Sequence, residues 1–346
     1  MQLEKMDKWK AVSHLQKCIR RGWYEKIPPV AFALWNVDNA YLRYRLAVIL
    51  MEDVGIANIE DASELMEDKI NKRWVEGHGG IEGLIERMQR VAQGVKDRTP
   101  CTWGALASQR AFETLYGPWS DTPIPRAIEI AWDPNNTLEI RAAGALRAAG
   151  TDLFPHEAFQ SLAGDWNAWL ESNVQYANAA VVGLMRQGQK TQKEWHPAFL
   201  GMCAEQASSN PLPNIESIPR DFGDVHGYCS AAIDSHTSEG KKAIAQLWYG
   251  HPTLRSDWRA LDPTCNDATA IAGISSMVFL LEGGAVDKRL GYTTAQRVEQ
   301  EAKDRWSKRY GVPGKEAATL VWRAMPLLHE FRKSNVAHDA SSEFNI

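Results

Sequence analysis

The sequence lacks several features that would place it in a functional class at once. Its five cysteines are scattered along 346 residues without a close pair, so the spacing predicts neither a disulfide framework nor a zinc knuckle. No apolar run reaches about 18 residues, so no membrane span is predicted. The polar, charged start MQLEKMDKWK does not resemble a signal peptide. We therefore expect a cytoplasmic protein that does not bind membranes.

Motifs of several enzyme classes are also missing. The nearest match to a phosphate loop, Ser235–Lys242, has a late Gly-Lys but lacks the leading glycine and follows no predicted strand. There is no Gly-x-Ser-x-Gly nucleophile elbow. No two histidines have the i, i+4 spacing that helical metalloprotease sites use. The sequence therefore predicts no catalytic residue, no metal and no cofactor.

Strand patterns and internal repeats are absent, whereas helical spacing of apolar residues recurs along the chain. Apolar residues follow at steps of three and four from Leu3 to Ile19, and a long apolar helix from Tyr41 is predicted to stop at Gly55. A short helix is predicted between these two, and Pro28 and Pro29 suit its first turn. We therefore predict an all-α fold, a multi-helix globular array.

A proline-rich stretch at 209–223 is the best candidate for a domain boundary. It holds three prolines and is the longest irregular segment in the sequence pattern. We expect a helical domain at 1–208, a linker at 209–223, a helical region at 224–333 and a flexible tail at 334–346.

Charge is balanced overall and uneven locally. The net charge of −4 argues against a general polyanion binder, yet residues 1–50 carry nine Lys/Arg against four Asp/Glu. Two stretches mix cations with aromatic residues, a combination that can grip a phosphate chain and stack bases. Cations that extend over a helix interface would give the same pattern. The candidate DNA-binding residues are Lys17, Arg20, Arg21, Arg305, Lys308 and Arg309.

A second candidate site lies at a predicted helix start. Thr237 or Ser238 can cap the helix, and Lys241 and Lys242 follow in its first turn, so this end could hold a phosphate group. An ordinary capped helix with solvated lysines explains the same residues. If this cluster, from Asp224 to Lys242, were catalytic, it would act on a phosphorylated substrate.

One stretch points to a known family. Residues 13–58 resemble the C-terminal domain of the replication-associated recombination protein A (RarA/MgsA) family. The resemblance rests on these residues: Leu15-Gln16-Lys17, Ile19-Arg20-Arg21-Gly22, Arg43, Arg45-Leu46 and Glu52-Asp53-Val54-Gly55-Ile56-Ala57. It implies a helical domain like the oligomerising collar of clamp loaders and a role in DNA replication or repair. No ATPase or catalytic residue is carried over, and Pro28-Pro29 departs from the family pattern.

The matching residues Arg45, Glu52, Asp53 and Gly55 are expected to form a junction between helices. Arg45 and Glu52 are seven residues apart on one predicted helix, roughly 11 Å, which is too far for a direct pair within that helix. Buried charge pairs more often fix geometry than perform chemistry, so a purely structural junction is the alternative to a direct functional role.

Together these features favour a non-enzymatic accessory protein of DNA replication or repair, of a kind that a phage could encode. We expect it to oligomerise or dock on a replication partner, and to have DNA as a further possible ligand. Two alternatives stay open. One is a protein-only module that binds a host or replisome protein, and the other is a phosphate-handling enzyme that uses the Asp224–Lys242 cluster.

Overall fold

A computed structural model gives the architecture of the chain. It describes residues 7–66, 72–107, 109–152, 157–192, 194–207, 212–215, 224–225 and 227–342. Helices make up 77% of the structure, which confirms the all-α class. The α-helices of the described residues are α1 (Lys8–Arg20), α2 (Ile27–Ile49), α3 (Ile59–Met66), α4 (Lys72–Gly77), α5 (Gly80–Gln93), α6 (Thr99–Leu106), α7 (Gln109–Tyr116), α8 (Ile124–Trp132), α9 (Leu138–Ala149), α10 (Trp166–Val174), α11 (Ala179–Gln192), α12 (His196–Ala207), α13 (Ser238–Gly250), α14 (Pro252–Leu261), α15 (Asp267–Val278), α16 (Thr293–Tyr310) and α17 (Gly314–Ser342).

The described residues also form two short antiparallel strand pairs. Strand β1 (Leu212–Ile215) pairs with β4 (Lys288–Gly291), and Leu212 lies opposite Gly291. Strand β2 (Asp224–Val225) pairs with β3 (Tyr228–Cys229). The sequence predicts no strand here because segments of two to four residues are too short to show an alternating pattern.

Two predicted boundaries fall close to described elements. Of the predicted linker 209–223, residues 212–215 form β1, and the others lie outside the described residues. Helix α17 continues to Ser342, so the prediction of a loose tail from Ser334 is wrong up to that residue. The added segment holds no Gly or Pro that would end a helix, and Asn335 and Val336 are buried.

The chain divides into two compact units, each assembled from segments that are distant in sequence. Unit 1 contains Met1–Asp38, Ser217–Val286 and Lys303–Ile346, and unit 2 contains Asn39–Glu216 and Asp287–Ala302. A discontinuous division of this kind depends on long-range packing, which local composition does not reveal. The prolines at 209–223 suggest a single boundary along the sequence, whereas each of these units combines separate segments of the chain.

The core of unit 1 lies among α13, α14, α15 and α17. Trp248 and Trp258 are fully buried there, and Trp306 is 6% exposed. The rings of Trp258 and Trp306 meet edge to face, with their centroids 6.4 Å apart. Large aromatic side chains bury much apolar area, so these indoles hold the helices of unit 1 together.

The core of unit 2 is built around α9, every residue of which except Glu139 is buried. Its alanines and Gly144 allow α8 to pack closely against it. Trp103 donates from Nε1 to the carbonyl of Leu138 at 2.9 Å, and Trp169 donates to the carbonyl of Ala198 at 3.2 Å. Burying an indole is favourable when its N–H finds such an acceptor, so these contacts anchor α6, α10 and α12.

Candidate functional site

Most of helix α1 is buried in unit 1 although its sequence is basic. Asp7 caps its first turn by accepting a hydrogen bond from the backbone N–H of Trp9 at 2.7 Å. Lys17 Nζ lies 2.8 Å from Asp234 Oδ2, with the two side chains only 3% and 5% exposed. Lys10 pairs with Glu239 on α13. The cations of α1 therefore meet carboxylates from a distant part of the chain, which offset the cost of burying them.

Arg21, just after α1, joins a second buried network in unit 1. Its Nη2 donates a hydrogen bond to the carbonyl of Glu282. The Glu282 carboxylate accepts a hydrogen bond from Arg332 Nη1 at 2.8 Å, and Arg332 also donates to Ser230 Oγ at 3.0 Å. His329 Nδ1 is 2.9 Å from the same Oγ, and burial lowers the pKa of His329. This network fixes α1 against α17.

Three predicted DNA-binding cations do not lie on the surface. Lys17 is 3% exposed, and Arg20 and Arg21 are each 1% exposed. Their sequence pattern is that of a polar helix face, but a phosphate chain cannot reach side chains enclosed to this degree. The prediction that these three residues bind DNA is therefore corrected: they belong to the interior of the folded chain.

The other three predicted DNA-binding cations are exposed on α16. Arg305, Lys308 and Arg309 are spaced i, i+3 and i+4, so they share one helix face. The guanidinium of Arg309 lies 5.5 Å from the ring centroid of Tyr310. Trp306, between them in sequence, is buried and anchors the helix. This basic face combines solvent access with a fixed backbone.

The start of α13 uses the predicted phosphate-binding residues differently. Thr237 caps the helix, because its Oγ1 accepts a hydrogen bond from the backbone N–H of Gly240 at 3.0 Å. Ser238 donates to Glu239 at 2.7 Å. Lys241 and Lys242 are exposed. A phosphate at this helix end would meet the nearby buried carboxylates, which favours the capping explanation over a phosphate site.

A carboxylate and an imidazole meet beside that helix start. Asp234 Oδ1 lies 3.1 Å from His236 Nδ1, while the His236 side chain is 74% exposed. Burial acts to raise the pKa of Asp234, but the charge of Lys17 and hydrogen bonds from Lys17 and His236 outweigh it and hold that pKa well below its usual range. Asp234 is thus an ionised partner of Lys17.

A metal site would need several ligating side chains close together. Nowhere in the described ranges do three or more His, Cys, Asp or Glu side chains lie close enough together to hold a metal ion. The side chain of Asp224 and the whole of His226, which belong to the predicted enzyme cluster, lie outside those ranges.

The predicted junction residues of unit 2 form a buried ion-pair cluster. Arg98 Nε lies 2.9 Å from Asp53 Oδ1, and Arg98 Nη2 lies 3.3 Å from Glu52 Oε1. Burial opposes the charged form of Arg98, but these carboxylates outweigh it and raise its pKa. Arg45 is partly buried, and its Nε has no hydrogen-bond partner among the residues that the structure describes. Arg98 was missed by sequence reasoning because it lies far from the motif along the chain.

Gly55 closes the junction by a close backbone approach. It has a φ of 54°, and a Cβ atom at this position would lie 2.3 Å from the carbonyl oxygen of Asp97. The N–H of Asp97 donates to the carbonyl of Val54 at 3.1 Å. Only glycine fits here without displacing the neighbouring segment.

Two further titratable groups belong to this cluster. His196 is buried on α12, and its Nδ1 lies 3.7 Å from Glu194 Oε2. Burial and repulsion from Glu52 raise the pKa of Glu194 to about 7, although attraction to Arg45 acts in the opposite direction. Burial lowers the pKa of His196. Such shifted groups occur in functional sites and in structural networks alike.

No family model, no curated protein and no solved structure matches the chain. Within the described ranges, no helix has the length and apolar character needed to cross a bilayer.

Proposed function

We propose that this chain is a non-enzymatic accessory protein of DNA replication or repair. It contacts DNA through the basic face of α16 and docks on, or oligomerises with, protein partners. The observation that carries the proposal is the exposed trio Arg305, Lys308 and Arg309 on one helix face. Exposed cations arranged in this way bind phosphate oxygens without reading bases.

The local sequence around the basic face supports this proposal. Residues 303–309 contain four Lys/Arg and one acidic residue, Asp304, in a chain whose overall charge is −4. The contrast concentrates positive potential where α16 is exposed. The DNA-replication context comes from the resemblance of residues 13–58 to the collar-like family.

A non-enzymatic role is supported by what the buried charges contact. The pairs Lys17–Asp234 and Asp53–Arg98 join protein groups to one another, with three of the four side chains 5% exposed or less. Groups enclosed and paired in this way hold helices in place, and a substrate would have to break them apart. The pairing of these buried charges therefore favours a structural role for them over a catalytic one.

The proposal is tested by fluorescence-anisotropy titration of single-stranded, duplex and forked DNA at two salt concentrations. The test variant is Lys308→Glu/Arg309→Glu. The matched control is Lys241→Glu/Lys242→Glu, which makes the same change of charge at two exposed neighbours on α13 of the same unit. We expect the α16 variant to lose most of its affinity and the control to retain it.

Each result separates the candidate functions. Equal losses in both variants would show only a general effect of net charge and would contradict a site on α16. A loss confined to the α13 variant would favour the phosphate-handling alternative. Absence of binding at low salt would leave the protein-only interaction module as the better explanation.

A further inference from the structure

An open groove on unit 1 lies between α14 and α17. Its cavity has a volume of about 420 Å³. Leu261 and Leu320 form its apolar floor and also pack against the core of unit 1. Cavities of roughly 300–1,000 Å³ are large enough to enclose a ligand or a large side chain.

Charged side chains border this groove. Asp257 and Glu316 supply two carboxylates, and Lys315 supplies one ammonium group. In the part of the chain that the structure describes, none of these three groups forms an ion pair. The groove therefore combines an apolar floor with a border of net negative charge, which suits an apolar side chain next to a cation.

A side chain with those properties projects from α1 of the same unit. Trp9 is 63% exposed, the largest exposed fraction of any aromatic side chain in the described residues. Lys8 Nζ lies 5.9 Å from the centroid of the Trp9 ring and 3.2 Å from Asp38 Oδ2. The next turn of α1 is buried, with Val12 3% exposed. The indole is thus presented on a fixed helix.

We propose that Trp9 of one copy of this chain binds in the α14–α17 groove of a second copy. The indole would lie on Leu261 and Leu320, and the ammonium of Lys8 would lie near Glu316. Enclosing an indole removes roughly 150–250 Å² of surface from water and makes tryptophan a frequent anchor of interfaces. The inference names a surface for the oligomerisation part of the proposed function and rests on that part.

This contact is heterologous, because Trp9, the knob, and the α14–α17 groove are different surfaces of the chain. Each chain can then donate Trp9 to one neighbour and accept it from another, which generates a ring or an open chain. This property gives a sharp test. A chain without the knob and a chain without the groove retain one functional surface each, so mixing them should restore one contact.

The test uses sedimentation velocity and light scattering over a range of concentrations. We expect the mass of the unmodified chain to rise with concentration. Trp9→Ala should weaken self-association at least about tenfold, because hot-spot tryptophans act on this scale. Thr319→Arg, at an exposed position of the groove, should do the same by filling it. Tyr249→Ala is the control, since Tyr249 is 56% exposed on the same unit.

An equimolar mixture of Trp9→Ala and Thr319→Arg chains should form a one-to-one complex, although each alone stays monomeric. A monomeric unmodified chain at all concentrations would overturn the proposal. So would self-association that survives Trp9→Ala, or a mixture that stays monomeric. DNA titration of Trp9→Ala separates the two proposals: if DNA binding is kept while self-association is lost, the knob acts in assembly alone.

Discussion

Single buried charges decide much of the geometry of unit 2. The Asp53 side chain is 0% exposed and Arg98 is 8% exposed, so both ions have left water for each other. Their mutual attraction offsets this desolvation only while both are present. An exposed pair in the same unit, Arg126–Glu129, has side chains 55% and 65% exposed, so breaking it costs the folded chain far less stability.

Asp53→Asn should lower the free energy of unfolding by about 3–5 kcal/mol, because it leaves the Arg98 charge buried without its main counter-ion. Glu129→Gln is the control and should leave the free energy of unfolding nearly unchanged. Urea unfolding followed by circular dichroism measures both. Equal, small losses in the two variants would contradict a structural role for the buried pair.

Glu194 gives unit 2 a predicted dependence on pH. Burial raises its pKa from 4.5 to about 7 in the folded chain. A carboxyl with a raised folded pKa holds its proton more tightly when folded. The contribution of Glu194 to stability is therefore highest below pH 4.5 and falls as the pH rises towards about 7.

Glu194→Gln should remove that loss. The variant should resemble the unmodified chain at pH 4.5, where Glu194 is neutral in the folded chain and half ionised in the unfolded chain. At pH 8 it should be the more stable, by up to about 3 kcal/mol. Urea unfolding at the two pH values measures this difference. A stability difference that is the same at both would contradict the raised pKa.

At the scale of elements, each unit contains a helix that widens into a π-helical turn with a buried carboxylate. In unit 2 the turn Leu50–Val54 follows α2 and carries Asp53. In unit 1 the turn Phe279–Gly283 follows α15 and carries Glu282, which pairs with Arg332. Single π turns are rare and often occur at functional sites. Here each turn brings an acid to an arginine.

The end of the first of these turns depends on Gly55. Gly55→Ala should destabilise the chain by several kcal/mol, because it combines a positive φ with an overlap against the Asp97 carbonyl. The control is Gly183→Ala within α11, where a Cβ would have no heavy atom within 4 Å. That control should be neutral or stabilising by about 0.5–1 kcal/mol. Thermal unfolding compares the two, and similar melting temperatures would contradict the tight approach.

Helices were predictable from sequence because their apolar spacing is local, whereas the role of α1 was not. Its end and the glycine after it follow from the pattern of residues 3–22, whereas its start at Lys8, after the cap Asp7, lies later than that pattern indicates. The partner of Lys17, however, is Asp234, 217 residues away. A cation on a helix face has the same local pattern whether water or a distant carboxylate lies opposite. Only the packing of unit 1 distinguishes the two cases.

The candidate site was predictable only in part for the same reason. Glu52, Asp53 and Gly55 were identified from their motif, but Arg98, Glu194 and His196 join them through tertiary packing. Nothing in the local sequence around Glu194 indicates a carboxyl with a shifted pKa. Such a shift depends on burial and on charges brought in from other helices.

At the scale of the whole molecule, the chain is weakly acidic, and four of its N-terminal cations, Lys10, Lys17, Arg20 and Arg21, are buried. The basic face of α16 is therefore the feature on which the DNA proposal depends. Contacts to phosphate release counter-ions, so affinity should fall steeply with salt, with a slope of about −0.9 per contact for duplex DNA. The slope counts contacts and does not depend on knowing the preferred DNA sequence.

The most direct measurement is therefore the salt dependence of duplex-DNA affinity for the unmodified chain and for Lys308→Glu/Arg309→Glu. The account predicts a linear decrease of log affinity with log salt, and a slope smaller by about 2 in the variant. The Lys241→Glu/Lys242→Glu chain should keep the slope of the unmodified protein. A slope near zero in the unmodified chain, or an unchanged slope in the α16 variant, would contradict the account.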